Sequence, residues 1–167
     1  MFTRDGYINE QSLTADIPYG RMSSDDNGCG WIAAFNVLRR IEAQPPAPEV
    51  VAQSLQRGLL VGGYLGTSPF AIGRFLRGRG HEVRWALKRN EQKRLAAESA
   101  ASILLYVGPL LRWREFQFHY VTLYPEPGRG MRVLNFGFDP HWESLESMES
   151  RLSPSMFTLL IAVNPGC

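Results

Sequence analysis

Apolar residues recur at helical spacing through the first half of the chain and alternate with polar ones through much of the second. Residues 1–24 are polar and rich in turn formers, and predict an extended arm. In WIAAFNVLRRI, Trp31, Ala34, Phe35 and Leu38 stand three or four apart, so a helix with one buried stripe is expected there. Asp25, Asp26 and Asn27 suit its beginning, Arg39 and Arg40 suit the negative end of its dipole, and Pro45, Pro46 and Pro48 stop it. A second helix over about 48–58 carries Val51, Leu55 and Leu59 on one stripe. After the glycine-rich VGGYLGT, Ser68-Pro69 is a cap followed by the favoured first-turn proline. Ile72, Phe75 and Leu76 give that third helix its apolar face.

From residue 82 the period changes. Val83, Trp85 and Leu87 alternate, 90–100 predicts a polar, alanine-rich helix, and SILLYVG, FHYVTLY, MRVLNFG and FTLLIAV predict strands. FHYVTLY and MRVLNFG flank the turn-rich PEPGRG, which predicts an antiparallel hairpin, and a last helix is expected at 142–151. Helices first and a mostly antiparallel sheet second make an α+β layout. At 167 residues, with no repeat and no long linker, the chain suits one domain.

Composition removes several function classes. A formal charge of +2, with basic residues in short pairs such as Arg39–Arg40 and Lys88–Arg89, argues against nucleic acid as a partner. No stretch approaches the roughly 18 apolar residues of a membrane span. The N-terminus lacks the apolar run of a signal peptide, so a soluble cytoplasmic protein is expected if the chain starts where its gene does. Three scattered histidines and two distant cysteines match no zinc spacing, and no cofactor motif is complete: VGGYLGT lacks a P-loop lysine. With Cys167 at the very end, on a terminus expected to be mobile, Cys29 is the cysteine that calls for explanation.

Cys29 stands where the first helix begins, and free N–H groups together with the helix dipole stabilise a thiolate there. Gly28 and Gly30 on either side would keep bulk away from the sulfur. A lone cysteine is more often a small buried hydrophobe, but a helix N-terminus flanked by glycines puts a nucleophile on an equal footing with that reading. A nucleophilic thiol needs a base. His119 lies within the strand FQFHYVTLY, on the face of Val121 and Leu123, and would reach the thiol if that face packs on the Cys29 helix. Taken alone, it is more often a satisfied core histidine. His81 and His141 follow turn residues and predict surface loops. A third group must fix the imidazole's tautomer and orientation. Asn135, on the partner strand of the hairpin, is the candidate, and Asp139 is its rival. The bland alternative is that Asn135 ends the strand and Asp139 opens a turn with Pro140.

NGCGWIAAFNVL, HYVTLY and VLNFG, in that order, resemble the papain-like peptidases. Within them the likeness is greatest to the bacterial branch around the bacteriocin-leader-processing, C39-type, peptidases. LGTSPFAIGRFLRGRGHEVRW extends it, so that it spans about residues 20–140. The resemblance implies a papain-like fold and a Cys29–His119–Asn135 triad acting on amide bonds. Two departures stand out. Only Cys29-Gly30-Trp31 survives of the papain signature. These families also usually place a glutamine about six residues before the nucleophile to complete the oxyanion hole; position 23 is serine here, leaving Ser23 or Asn27 as candidate donors. Asp25 and Asp26 either cap the helix, raise the thiol pKa, or meet a positively charged substrate group.

The expected function is a cysteine-dependent hydrolase cleaving a peptide or related amide through a thioester. A peptide or protein is its partner, and no metal or cofactor is required. Its groove would involve Tyr64–Thr67 and the segment Gly108–Phe118, with Trp113 and Phe116 as contacts or as packing. A non-catalytic papain-fold module that binds peptides is the alternative from another class, and amine acyl transfer of the transglutaminase type is a third.

Overall fold

The computed structural model describes residues 2–109, 116–136, 141–152, 155 and 157–166. Two short strands, β1 (Pro18–Tyr19) and β2 (Met22–Ser23), lead into one helical turn, α1 (Ser24–Asn27), and then into α2 (Cys29–Ile41). There follow α3 (Pro48–Leu55), α4 (Pro69–Gly78), β3 (Glu82–Ala86), α5 (Arg89–Glu98), β4 (Ala101–Pro109) and β5 (Phe116–Glu126). The chain ends with β6 (Gly130–Leu134), β7 (His141–Glu143), α6 (Leu145–Leu152) and β8 (Phe157–Asn164). Six strands form a sheet in the order β3-β8-β4-β5-β6-β7, every neighbouring pair antiparallel. The α+β layout is as the sequence predicts.

All residues from Cys29 to Leu38 are buried, so α2 is a central helix, hydrophobic nearly all round. It ends before the prolines, at Ile41, because Glu42 turns to extended backbone. On one side of the sheet α2, α3 and α4 pack against Ile103, Leu105, Tyr120, Tyr124, Leu134 and Ile161. On the other, Leu95 and Ala96 of α5 cover Leu104, Val121, Leu123, Val133 and Leu160. A two-faced sheet explains why its central strands are so apolar.

Three expectations need correction. The arm is no loose extension: Tyr7, Ile8, Ile17 and Tyr19 are buried in the core of α2. Asn36 of α2 holds it there, accepting from the Ile8 N–H at 2.8 Å and donating to the Ile8 carbonyl at 2.7 Å. His141 lies in β7, opposite Val133, where a loop was expected. His81 does lie in a loop, but it is half-buried there, its Nε2 2.7 Å from Glu42 Oε1 beside Arg79, which binds the same carboxylate. Cys167 and its expected mobility lie outside the described residues.

The hairpin forms across 127–129, pairing Glu126 with Gly130. Gly130 has φ +88, and a Cβ there would stand 2.8 Å from the Glu143 carbonyl oxygen, so β7 can approach only a glycine. At its other end β6 makes its last pair, Leu134 with Thr122, and Asn135 then takes φ +62. Asparagine tolerates that left-handed conformation better than most residues. Its place in VLNFG is therefore a strand exit.

Candidate active site

The break between α1 and α2 prepares the head of the central helix. The Gly28 N–H closes α1 on the Ser24 carbonyl, and the Ile32 N–H makes the first bond of α2, to the Gly28 carbonyl. The N–H groups of Cys29, Gly30 and Trp31 precede that first bond and have no place in the helical ladder. Cys29, with 4% of its surface exposed, donates from Sγ to the Phe118 carbonyl at 3.9 Å. Its thiol is pushed up to about 11 by burial, which outweighs hydrogen bonding from the backbone of Tyr120, Gly30 and Cys29 itself. The lowered pKa expected of a helix N-terminus is thus overturned by desolvation.

The flanking glycines serve packing more than access to the sulfur. A Cβ on Gly30 would stand 2.5 Å from Thr67 Oγ1, and one on Gly28 would stand 2.3 Å from the Ser24 carbonyl oxygen. Thr67 is itself fixed, its hydroxyl 2.7 Å from Tyr19 Oη and its carbonyl accepting from Tyr120 Oη at 2.7 Å.

His119 is on β5, but α2 covers the opposite face from the one expected. Tyr120 and Tyr124 point to the helix, and the Thr122 hydroxyl donates to the Ala33 carbonyl at 3.2 Å. His119 shares its face with Val121 and Leu123, beside Tyr106, whose ring lies edge-on at 5.6 Å. Thiol and imidazole each meet β5 near the end of β6, and no hydrogen bond joins the two. The amide nitrogen of Asn135 reaches the Tyr120 carbonyl at 3.3 Å, so the Tyr120 and Phe118 backbone groups point toward the edge that β6 abandons. The Cys29 thiol sits against those same groups. His119 Nε2 is 2.7 Å from the Asn135 main-chain carbonyl oxygen, which makes Nε2 the donor and leaves Nδ1 as the neutral ring's acceptor. Burial lowers the His119 pKa, partly offset by that hydrogen bond.

Asn135 therefore holds His119 through its backbone carbonyl, while its side chain replaces the missing ladder bond on Tyr120. Asp139, the rival orienter, lies outside the described residues. Sequence reading missed the next residue outward: Asn9 of the arm accepts from the Asn135 N–H through Oδ1 at 3.1 Å. No spacing or periodicity marks Asn9, because it is 126 residues away in the chain.

No protein-family profile matches the sequence, and no curated protein does. Solved structures do. The peptidase domain of Streptococcus ComA, a bi-functional ABC transporter of a quorum-sensing pathway, superposes with a TM-score of 0.55 at 14% identity, over 88% of this chain and 96% of that one. A double-glycine-motif protease from an AMS/PCAT transporter, solved with its leader peptide, gives 0.54 at 15% identity, over 82% and 84%. The chain shares the papain-like fold of these peptidase domains.

Within that fold, the two side chains expected at the oxyanion hole are engaged elsewhere. The Ser23 hydroxyl donates to Asp25 and lies 3.2 Å from Asp26 Oδ2. Both acids are exposed in the first turn of α1, so they begin that short turn and do not cap α2, whose N-cap is Gly28 with no side-chain bond. Asn27 is buried and gives its amide hydrogens to the Tyr19 carbonyl at 3.3 Å and the Gly63 carbonyl at 3.1 Å, pinning the 60–66 loop to α1. In that loop Val61 has φ +50, and Val61, Tyr64 and Leu65 are exposed, whereas Thr67 is buried. Of the other proposed groove, 110–115 lies outside the described residues, Trp113 with it, and so does the side chain of Phe116. Among the described residues no three His, Cys, Asp or Glu side chains group to hold a metal, and no helix is long and apolar enough to cross a membrane.

Proposed function

We propose that the protein is a cysteine peptidase in which Cys29 is the nucleophile, His119 the general base and acid, and Asn135 the group that orients the imidazole. The observation that carries this reading is the hydrogen bond from His119 Nε2 to the Asn135 carbonyl, made where β6 leaves β5 and where the thiol also meets the strand. It fixes the tautomer in which Nδ1 is free to accept a proton. The burial-raised thiol and burial-lowered imidazole both favour a neutral resting pair, so the reaction begins by general-base catalysis with no preformed thiolate.

As a peptide carbonyl arrives, His119 takes the Cys29 proton and Sγ bonds to the carbonyl carbon. The oxygen of the tetrahedral intermediate is received by backbone N–H groups at the head of α2, foremost that of Cys29. His119 then gives the proton to the departing amine, the C–N bond breaks, and a thioester remains. Water, losing a proton to His119, attacks that thioester and releases the acid and the thiol. The likeness to a double-glycine-motif protease makes peptides cut after small residues the first substrates to try.

The nearly closed thiol and the engaged Ser23 and Asn27 favour a second reading, a peptide-binding module without turnover. Mass spectrometry of a peptide library containing Gly-Gly segments separates the two. Cleavage that Cys29→Ala abolishes supports the peptidase; tight binding without cleavage by either protein means the module. A thioester resolved by added amines as readily as by water would mark acyl transfer.

A further inference from the structure

We infer that Asn9, in the N-terminal arm, is a positioning residue for His119, and that the arm couples the nucleophile's helix to the base. This rests on the peptidase reading, but its structural content can be tested apart from it. The path is a chain of short buried contacts. Asn36 lies on α2, two turns beyond Cys29, and grips both backbone groups of Ile8 at 2.8 and 2.7 Å. The next residue, Asn9, accepts from the Asn135 N–H at 3.1 Å. The Asn135 carbonyl binds His119 Nε2 at 2.7 Å, and its side-chain amide binds the Tyr120 carbonyl at 3.3 Å. Asn9, Asn36 and Asn135 are each at most 4% exposed.

Asn135 needs such a support. It stands beyond the last ladder pair of β6, in a left-handed conformation, where no strand bond fixes the direction of its peptide groups. Its N–H and its carbonyl belong to the same residue, so holding one aims the other. Side-chain amides buried this deeply are costly to leave unpaired, which makes each link resistant to slipping. The same arm is fastened a second time by Asp5, which binds Arg132 of β6 at 2.5 and 3.2 Å. The arm thus clamps both the body and the exit of the strand that carries the orienting carbonyl.

The test uses the full chain. Asn9→Leu removes the acceptor at similar volume, and Asn9→Asp retains an oxygen in its place. In ¹⁵N NMR of wild type, neutral His119 is expected as the Nε2–H tautomer. Asn9→Leu should mix the tautomers, lower the His119 titration further, and reduce kcat about 10- to 100-fold with KM within about twofold. Asn9→Asp should restore the tautomer and most of kcat. A folded Asn9→Leu protein with wild-type tautomer and kcat overturns the inference. If wild type cleaves no peptide, the peptidase reading fails, while the tautomer measurement still decides the role of Asn9. If Asn9→Leu does not fold, hydrogen exchange at the Asn135 amide of wild type decides: strong protection supports the link, and exchange at the rate of an open loop refutes it.

Discussion

Alkylation of Cys29 is where burial and helix-terminus chemistry make opposite forecasts. A thiol at a free helix N-terminus is expected to ionise below its ordinary range. Here the surrounding core raises Cys29 from 9.0 to about 11. That rise corresponds to about a 100-fold smaller thiolate fraction at neutral pH. His119 does not reverse this, since its own burial favours the neutral ring. In a Cys167→Ser background, iodoacetamide labelling of Cys29 should be at least ~100-fold slower than that of an exposed thiol near pH ~7. Its rate should climb with pH toward about 11 without a plateau. His119→Ala should leave that limb nearly in place. A reactive plateau below ~8.5 that disappears in His119→Ala would refute the neutral pair and establish a preformed thiolate–imidazolium.

The remaining expectations concern the same framework. Cys29→Ala should abolish peptide cleavage yet cost about 1 kcal/mol or less in thermal unfolding, and His119→Ala should abolish cleavage with a loss of about 2 kcal/mol from its packing on Tyr106; cleavage surviving either change would exclude that residue from the reaction. Gly30→Ala forces a methyl to within 2.6 Å of Thr67 Cβ, a β-branched side chain fixed on Tyr19, and should destabilise by about 1–3 kcal/mol in urea unfolding. Asp5, held at about 2 by Arg132, contributes stability that is present above its unfolded value of 3.8 and is lost as pH falls through about 2. With half of its side chain exposed, the contribution is screened to about 1 kcal/mol. Asp5→Asn should therefore lower the denaturation midpoint at pH ~6 and flatten the acid limb between pH ~4 and ~2.

Most of the helices and strands, and their order, are legible in the local pattern, though β1, β2 and β7 are not. The 3.6 period around Trp31 to Leu38 and the alternation through FHYVTLY follow from local geometry, which a one-dimensional pattern records. It also marked Cys29, His119 and Asn135, because a cysteine at a helix start and a polar residue in an apolar strand conflict with their surroundings. Tertiary structure decided what those residues touch. Which face of β5 meets α2 follows from two-sided burial of the sheet, and both faces of that strand are apolar enough to have served. The backbone carbonyl of Asn135, rather than its amide, reaches His119 because β6 ends in a left-handed residue, a conformation set by the packing around it. The thiol pKa depends on how much protein closes over the helix terminus, and no local pattern encodes that. The arm shows the limit most clearly: its sequence is polar and turn-rich, yet Ile8 and Asn9 are buried, because the partners that bury them lie 28 and 126 residues away.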